Sequence, residues 1–500
     1  MKIINFFLVI FILSIVSESN SQNCSNTSVG FTPLNDLGAG FYRGLQGGLY
    51  PGGENFRPSQ HDADGIDLAL QVVPLDTAGN YDPVTGRIVL LSVGMSNCSQ
   101  EFQRFRILVN GAAYLNPKLS IINGAQGGQT IDIIINPNAA FWTVIEDRLR
   151  AGGLSVKQVQ AVWFKEAQAS PTDTSFPGYP SGLKEKFKTA MTVMKAKFIN
   201  LKLCYNASRI YGGYASTGLN PEPYSYYSGW SVKWLIEDQI TGDTSLIYKG
   251  INPKSAWLSW GPYLWADGII PRSDGLTWNC PADFNADGTH PSANGTVKVA
   301  EMLDNFFRSD ASSKPWFLKS ITLNLKLAEE GFYNPVENKL RMKDTVKVYL
   351  LNSTSPYATI DSSKAVIDSS TLTGTFKFYN APPGIYYIKI NHRNSIETWS
   401  KSGGVNFVSG NIYNYDLTDS SAMAYGNNMI FNVNKYCIYS GDVNQDGAID
   451  LADGSLIDND AFNFNSGYLP TDTNGDGIID VADAVHADNN GFNFVGKITP

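Results

Sequence analysis

The stretch DVNQDGAIDLAD begins at Asp442, and DTNGDGIIDVAD begins at Asp472, thirty residues later. The segments that follow them also repeat, as DNDAFNF from Asp458 and DNNGFNF from Asp488. Each twelve-residue loop puts an oxygen-bearing side chain at positions 1, 3, 5, 9 and 12 and a glycine at position 6. Calcium takes six to eight oxygens around a tight turn, and the glycine permits that turn. The first loop offers Asp442, Asn444, Asp446, Asp450 and Asp453, with the Ala448 carbonyl at position 7. The second offers Asp472, Asn474, Asp476, Asp480 and Asp483, with the Ile478 carbonyl. Two matching loops at a fixed period argue against chance Asx-rich turns, and two calcium ions are expected.

The charge follows the loops. From Asp442 to Pro500 there are eleven Asp and one Lys, a balance of −10, so the rest of the chain carries about +2 of the net −8. Nothing marks that remainder as a nucleic-acid binder. The approach to the first loop, MIFNVNKYCIYSG, reads as strand and turn, and position 12 is Asp where helix-loop-helix sensors carry Glu. A loop followed by a helix, with no helix before it, resembles a dockerin. The resemblance covers residues 438–500 and implies a cohesin or cell-surface partner. The helices depart from many dockerins in lacking a basic Lys-Arg element, having GSLIDNDAFNF instead.

At the other end, one lysine and the apolar run IINFFLVIFILSIV precede Ser- and Asn-rich sequence, the pattern of a cleavable signal peptide over residues 1–21. The mature chain is expected to start near Gln22 and to be exported, with no membrane span, because the run is too short. A lipid-anchored start at Cys24 is disfavoured. The five cysteines are too dispersed for a disulfide scaffold or a Cys-rich zinc site. One disulfide in the first half is compatible with them, in an unspecified pairing.

Residues 22–318 alternate apolar strands with helices. RIVLLSVG is a near-continuous apolar run, as a buried parallel strand requires, and LSIINGA, VQAVWF and NLKLCYNAS read as further strands. NAAFWTVIEDRLRAGG reads as a helix between two of them. Chemistry in such an α/β layered domain belongs at the carboxyl ends of the strands. Residues 319–437 change to short alternating runs such as TVKVYLLN and GIYYIKINH, the pattern of an all-β sandwich serving as a spacer or a weak binding module. His392, within it, is expected to pack or cap.

The first strand ends in GMSNCSQEF, which places Ser96 at a turn into a helix; a helix cap is the competing role for it. The second ends in the glycine-rich NGAQGGQT. Further on, DGTHP holds Asp287 three residues before His290, ahead of the helical stretch GTVKVAEMLDNFF, with Pro291 and Ser292 suited to start it. Taken in this order, the blocks resemble the GDSL/SGNH hydrolase family over about Arg87 to Phe306. That resemblance implies a three-layer, flavodoxin-like α/β fold. It implies Ser96 as nucleophile, His290 as general base and Asp287 as its orienting acid, with no cofactor for catalysis. The backbone N–H groups of Ser96 and Gly128 would form part of an oxyanion hole. Gly-Met-Ser replaces the family's Gly-Asp-Ser, and the third block appears as VWFKEAQAS without its asparagine, leaving either Gln168 as the candidate amide or a different role for Glu166 and Lys165. His61 has no comparable partner.

Aromatic residues are dense between Tyr205 and Trp278 and are candidates for stacking on sugar faces, with Arg209 and Asp267 beside them. The whole reads as a multidomain secreted esterase acting on acylated polysaccharide or oligosaccharide. Two other classes stay open: a non-catalytic carbohydrate-binding or surface-assembly protein, and a glycosidase using Glu166 and Asp267 as paired acids.

Overall fold

A computed structural model describes residues 22–408 and 410–500, so the expected export segment lies outside the described residues. Backbone contacts divide the chain into two compact units that meet in sequence at Phe317 and Leu318.

The first unit is built on a five-stranded, wholly parallel sheet. Its strands are β1 (Ile88–Gly94), β2 (Leu119–Asn123), β3 (Val159–Lys165), β4 (Leu203–Asn206) and β5 (Trp257–Trp260), in the order β2-β1-β3-β4-β5. Every residue of β1 and β3 is buried, so both faces of the sheet are covered, and this is why these strands read as unbroken apolar runs. The helices are α1 (Ser59–Leu70), α2 (Ser96–Val109), α3 (Ala140–Ala151), α4 (Gly178–Lys197), α5 (Tyr224–Ile240) and α6 (Ala293–Ser309). Helix α2 packs on α6, and α4 packs on α5. From β1 the chain goes to β2 on one side and then to β3 on the other, which puts the topological switch point, where such sheets bind ligands, at the carboxyl end of β1. A disulfide joins Cys24 to Cys280, while Cys98, Cys204 and Cys437 are free and buried.

The aromatic-rich stretch needs a correction. Trp257–Trp260 is the edge strand β5, and Trp230, Trp257, Trp265, Trp278, Tyr214 and Tyr226 are fully buried. They form the core of the unit, and no sugar can stack on them. Some of the indole N–H groups in that core bond carbonyls, as Trp278 does to Leu264 and Trp257 to His61, whereas that of Trp230 has no partner.

Beside two short two-stranded sheets, the second unit contains two larger ones. One has β7 (Asp344–Asn352), β8 (Thr359–Ile367), β10 (Gly384–His392) and β11 (Ser395–Trp399) in the order β8-β7-β10-β11, with β12 (Val405–Phe407) also paired to β10. The other places β6 (Ile321–Lys326) between β9 (Thr373–Phe378) and β13 (Ile412–Asp416), the last pair being parallel. Alternation sets the inner face: Ile321, Leu323 and Leu325 of β6 meet Val346, Val348 and Leu350 of β7 in one core. The duplicated loops follow, each leading into a helix, α7 (Leu451–Phe462) and α8 (Val481–Phe492). A smaller core joins Ile396 of β11 to Val443, Ile449, Ile457 and Ile479 of the loops and helices.

Candidate active site and metal loops

Ser96 is the first residue of α2, directly after the extended Met95 at the end of β1. Its hydroxyl does not cap the helix; it lies 2.8 Å from Nε2 of His290. The other imidazole nitrogen, Nδ1, is 2.5 Å from Oδ2 of Asp287. Oδ1 of Asp287 accepts the backbone N–H groups of Thr289 and His290, each at 3.0 Å. Burial would raise the Asp287 carboxyl, but the His290 ring and these N–H bonds outweigh it and hold it below the usual carboxylate range. The turn is tight because Gly288 has φ +64°, and a Cβ there would lie 1.8 Å from the Tyr214 carbonyl. Ser292 then caps α6 by accepting from Asn294 and Gly295 N–H, so the expected helix start lies where Pro291 and Ser292 suggested.

Sequence reasoning missed Asn97, whose side-chain amide donates to the Thr289 carbonyl at 3.0 Å and ties the serine helix to the histidine loop. The only signal for it was an amide residue directly after the serine. Gly94 is fixed by the sheet: a Cβ on it would lie 2.2 Å from the Lys165 carbonyl and 2.7 Å from Cys98 Sγ. The glycine-rich turn after β2 is anchored by Gln126 N–H donating to the Gly94 carbonyl. It passes Ser96 closely, since a Cβ on Gly127 would be 4.0 Å from the Ser96 Cβ. Gly128, beside it, has φ +74° and open space around it.

The Gln168 amide is engaged by Asp132, to which its Nε2 donates at 3.4 Å, and the Gln168 backbone carbonyl accepts from Asn220 at 2.7 Å. The third block instead carries charge: Lys165 Nζ sits 2.7 Å from both carboxylate oxygens of Glu101, with both side chains fully buried. Burial pushes the Glu101 carboxyl up and the Lys165 ammonium down, and each partner resists the other's shift. Glu166 is buried with Oε1 unpartnered, and burial raises its carboxyl well above the usual range. Asp267 is taken up by Ser28 Oγ and the Val29 and Gly30 N–H groups, so the structure gives Glu166 and Asp267 no shared partner as an acid pair. Arg209 is buried with Nε unpartnered. His61 is a core histidine, bonded to the Leu258 carbonyl at 2.8 Å and stacked on Trp257.

The duplicated loops repeat their hydrogen bonds. Asp453 Oδ1 accepts from Val443 and Asn444, and its Oδ2 from Asp450; Asp483 does the same with Thr473, Asn474 and Asp480. Gly447 and Gly477 at position 6 have φ +91° and +81°. Asp442 is buried with Oδ1 unpartnered; burial first, then Asp453 and Asp446, push its carboxyl up to about 7. Among the described residues no three His, Cys, Asp or Glu side chains are gathered as a ready metal cage. The all-oxygen donor set and the orphaned Asp442 oxygen nonetheless fit a hard cation such as calcium.

No family model matches the chain, and no curated protein does. Among solved structures, an interface mutant of a type II cohesin–X–dockerin complex from Acetivibrio cellulolyticus is 18% identical, with 36% of this chain and 97% of that chain covered and a TM-score of 0.23. A carbohydrate esterase family 3 structure from Talaromyces cellulolyticus is 12% identical, covering 44% of this chain and 95% of its own at a TM-score of 0.26. A salicylyl-acyltransferase from a tetracycline biosynthetic pathway is also 12% identical, covering 45% and 55% at 0.24. Among the described residues no helix is long and apolar enough to cross a membrane.

Proposed function

We propose that the first unit is a serine hydrolase that removes acetyl or other short acyl groups from polysaccharide, and that the acidic loops, loaded with calcium, anchor it to a cohesin-like partner outside the cell. The reading rests on one observation above all, the chain of contacts from Ser96 through His290 to Asp287 at 2.8 and 2.5 Å. In this mechanism His290 Nε2 takes the Ser96 proton as Oγ attacks the ester carbonyl, and Asp287 fixes the tautomer that leaves Nε2 free to accept it. The tetrahedral oxyanion faces the first N–H groups of α2 and the turn at Gly127 and Gly128. Collapse expels the sugar hydroxyl, which receives the proton from His290, and water activated by the same ring frees the acid from Ser96.

The anchoring role draws on the exposed aromatics repeated after each loop. Phe462 and Phe464 are 83% and 92% exposed, and Phe492 and Phe494 are 84% and 92% exposed. Paired apolar residues left in solvent at equivalent places suit a protein partner.

The test is hydrolysis of p-nitrophenyl acetate and acetylated xylan by the mature, calcium-loaded chain beside Ser96→Ala and His290→Ala. Turnover by the wild type that both variants lose, by about a thousandfold or more, supports the assignment. Turnover that survives both substitutions removes this site from consideration, and no turnover by folded protein points to a binding role.

A further inference from the structure

The two loops match in sequence but not in surroundings. In the first, Asp442 Oδ1 has no partner, and among the described residues no lysine, arginine or histidine nitrogen lies within 4.0 Å of any loop carboxylate. Lys497 lays its side chain over Gly447, and its backbone N–H donates to the Gly447 carbonyl at 2.8 Å; among the described residues its ammonium forms no ion pair. In the second loop, Asp472 Oδ1 accepts the Gly475 and Asp476 N–H groups, and its other oxygen faces the Arg393 guanidinium at 3.5 Å. Arg393 comes from the turn after β10 and is held from behind by Asp344 at 2.8 Å. The Tyr468 ring lies 4.4 Å from its guanidinium carbon. Asn394, next to it, donates to the Asp472 carbonyl at 2.7 Å. A second arginine of the sandwich, Arg341, reaches Asp476 at 3.9 Å.

We propose that the β-sandwich makes the two loops unequal: Arg393, helped by Arg341, supplies a fixed counter-charge to the ligands of the second loop, so that this loop binds calcium more weakly than the first. The inference rests on the calcium reading of the loops. Affinity of such sites follows the charge of the ligand set, and a guanidinium beside the position-1 carboxylate subtracts from that charge. Asp442 keeps one carboxylate oxygen without a partner, whereas both oxygens of Asp472 are engaged, one by N–H groups and the other by Arg393. Filling the second loop must therefore work against a positive group that Asp344 holds in place. That gives the chain one site that stays filled at low calcium and one that responds as calcium rises.

The experiment is calorimetric titration of the mature full-length chain, stripped of metal, with calcium chloride. Asp442→Ala and Asp472→Ala assign the two steps, and Arg393→Met tests the counter-charge. Arg393→Met/Asp344→Asn removes both charges together, so the sandwich is not left with a lone buried carboxylate. We expect two steps in the wild type, the weaker one lost in Asp472→Ala. Both Arg393 variants should strengthen that step about threefold to tenfold and leave the tighter step in place. Two equal steps, a weaker step that belongs to Asp442, or an Arg393 variant that weakens or does not alter the second step overturns the inference while leaving calcium binding intact. No calcium uptake by the wild type overturns the calcium reading and this inference with it.

Discussion

Ser96 spends its hydroxyl on His290, although serine at a helix start normally caps. The next carboxylate sets the direction of proton flow. In Asp287→Asn the amide can present N–H to Nδ1, which favours the tautomer with its proton on Nε2, facing the serine. We expect kcat on p-nitrophenyl acetate to fall by about 10³ to 10⁴ with KM changed little, read from steady-state kinetics. A fall in KM affinity with kcat retained would give Asp287 a binding role instead. The pair Glu101–Lys165 makes a different prediction, because it is buried and both oxygens meet one ammonium. Lys165→Met leaves a lone buried carboxylate and should cost about 3–5 kcal/mol in denaturant unfolding, whereas Lys165→Met/Glu101→Leu should recover most of it. Ser96, Asp287 and His290 could be picked from the sequence because each stands in a local pattern at a strand end or before a helix. Asn97 and Glu101 could not, because their partners lie 192 and 64 residues away in sequence and only the fold supplies them.

At the scale of elements, β1 could be recognised by its unbroken apolar run, whereas β5 was hidden. Trp257–Trp260 is short, and its aromatic residues are shared with the surrounding core, so neither length nor period separates it from a cleft lining. The Gly94 position explains why a glycine ends β1: the Lys165 carbonyl of the neighbouring strand occupies the space of a side chain. Gly94→Ala should force β1 and β3 apart where Ser96 is set, costing about 1–3 kcal/mol and most of the turnover. A fully active, equally stable variant would contradict this. In the sandwich, β7 begins at Asp344, against His392 at 3.1 Å and Arg393. Burial alone would raise the Asp344 carboxyl, but His392, Tyr468 and Arg393 outweigh it and hold it well below the usual range. A depressed carboxylate adds stability that is present above its unfolded value and is lost as pH falls toward its folded one. Urea midpoints of the second unit, in chelator, should therefore drop below about pH 4, and Asp344→Asn should flatten that acid limb. An unchanged limb in the variant would assign the acid loss to other groups.

For the whole molecule, the sequence placed its excess negative charge after Asp442, and the structure puts that segment in the second unit with the sandwich. The core shared by the loops is small, with Ile396, Val443, Ile449, Ile457 and Ile479 as its main buried members. Cores of that size need another source of stability, and a cation bound only by the folded loops adds RT ln(1 + [Ca]/Kd), about 2.7 kcal/mol per site at a hundredfold excess over Kd. Ser96, Asp287 and His290, by contrast, all precede Phe317 and lie in the first unit. Chelation should then act on one unit alone. Scanning calorimetry of the mature chain in EGTA should move one transition down by several degrees and leave the other in place, while p-nitrophenyl acetate hydrolysis at 25 °C keeps its rate. Loss of turnover on chelation, restored by calcium, would tie the first unit to the ion directly. Displacement of both transitions together would mean that the two units unfold as one and that the loops stabilise the first unit as well as their own.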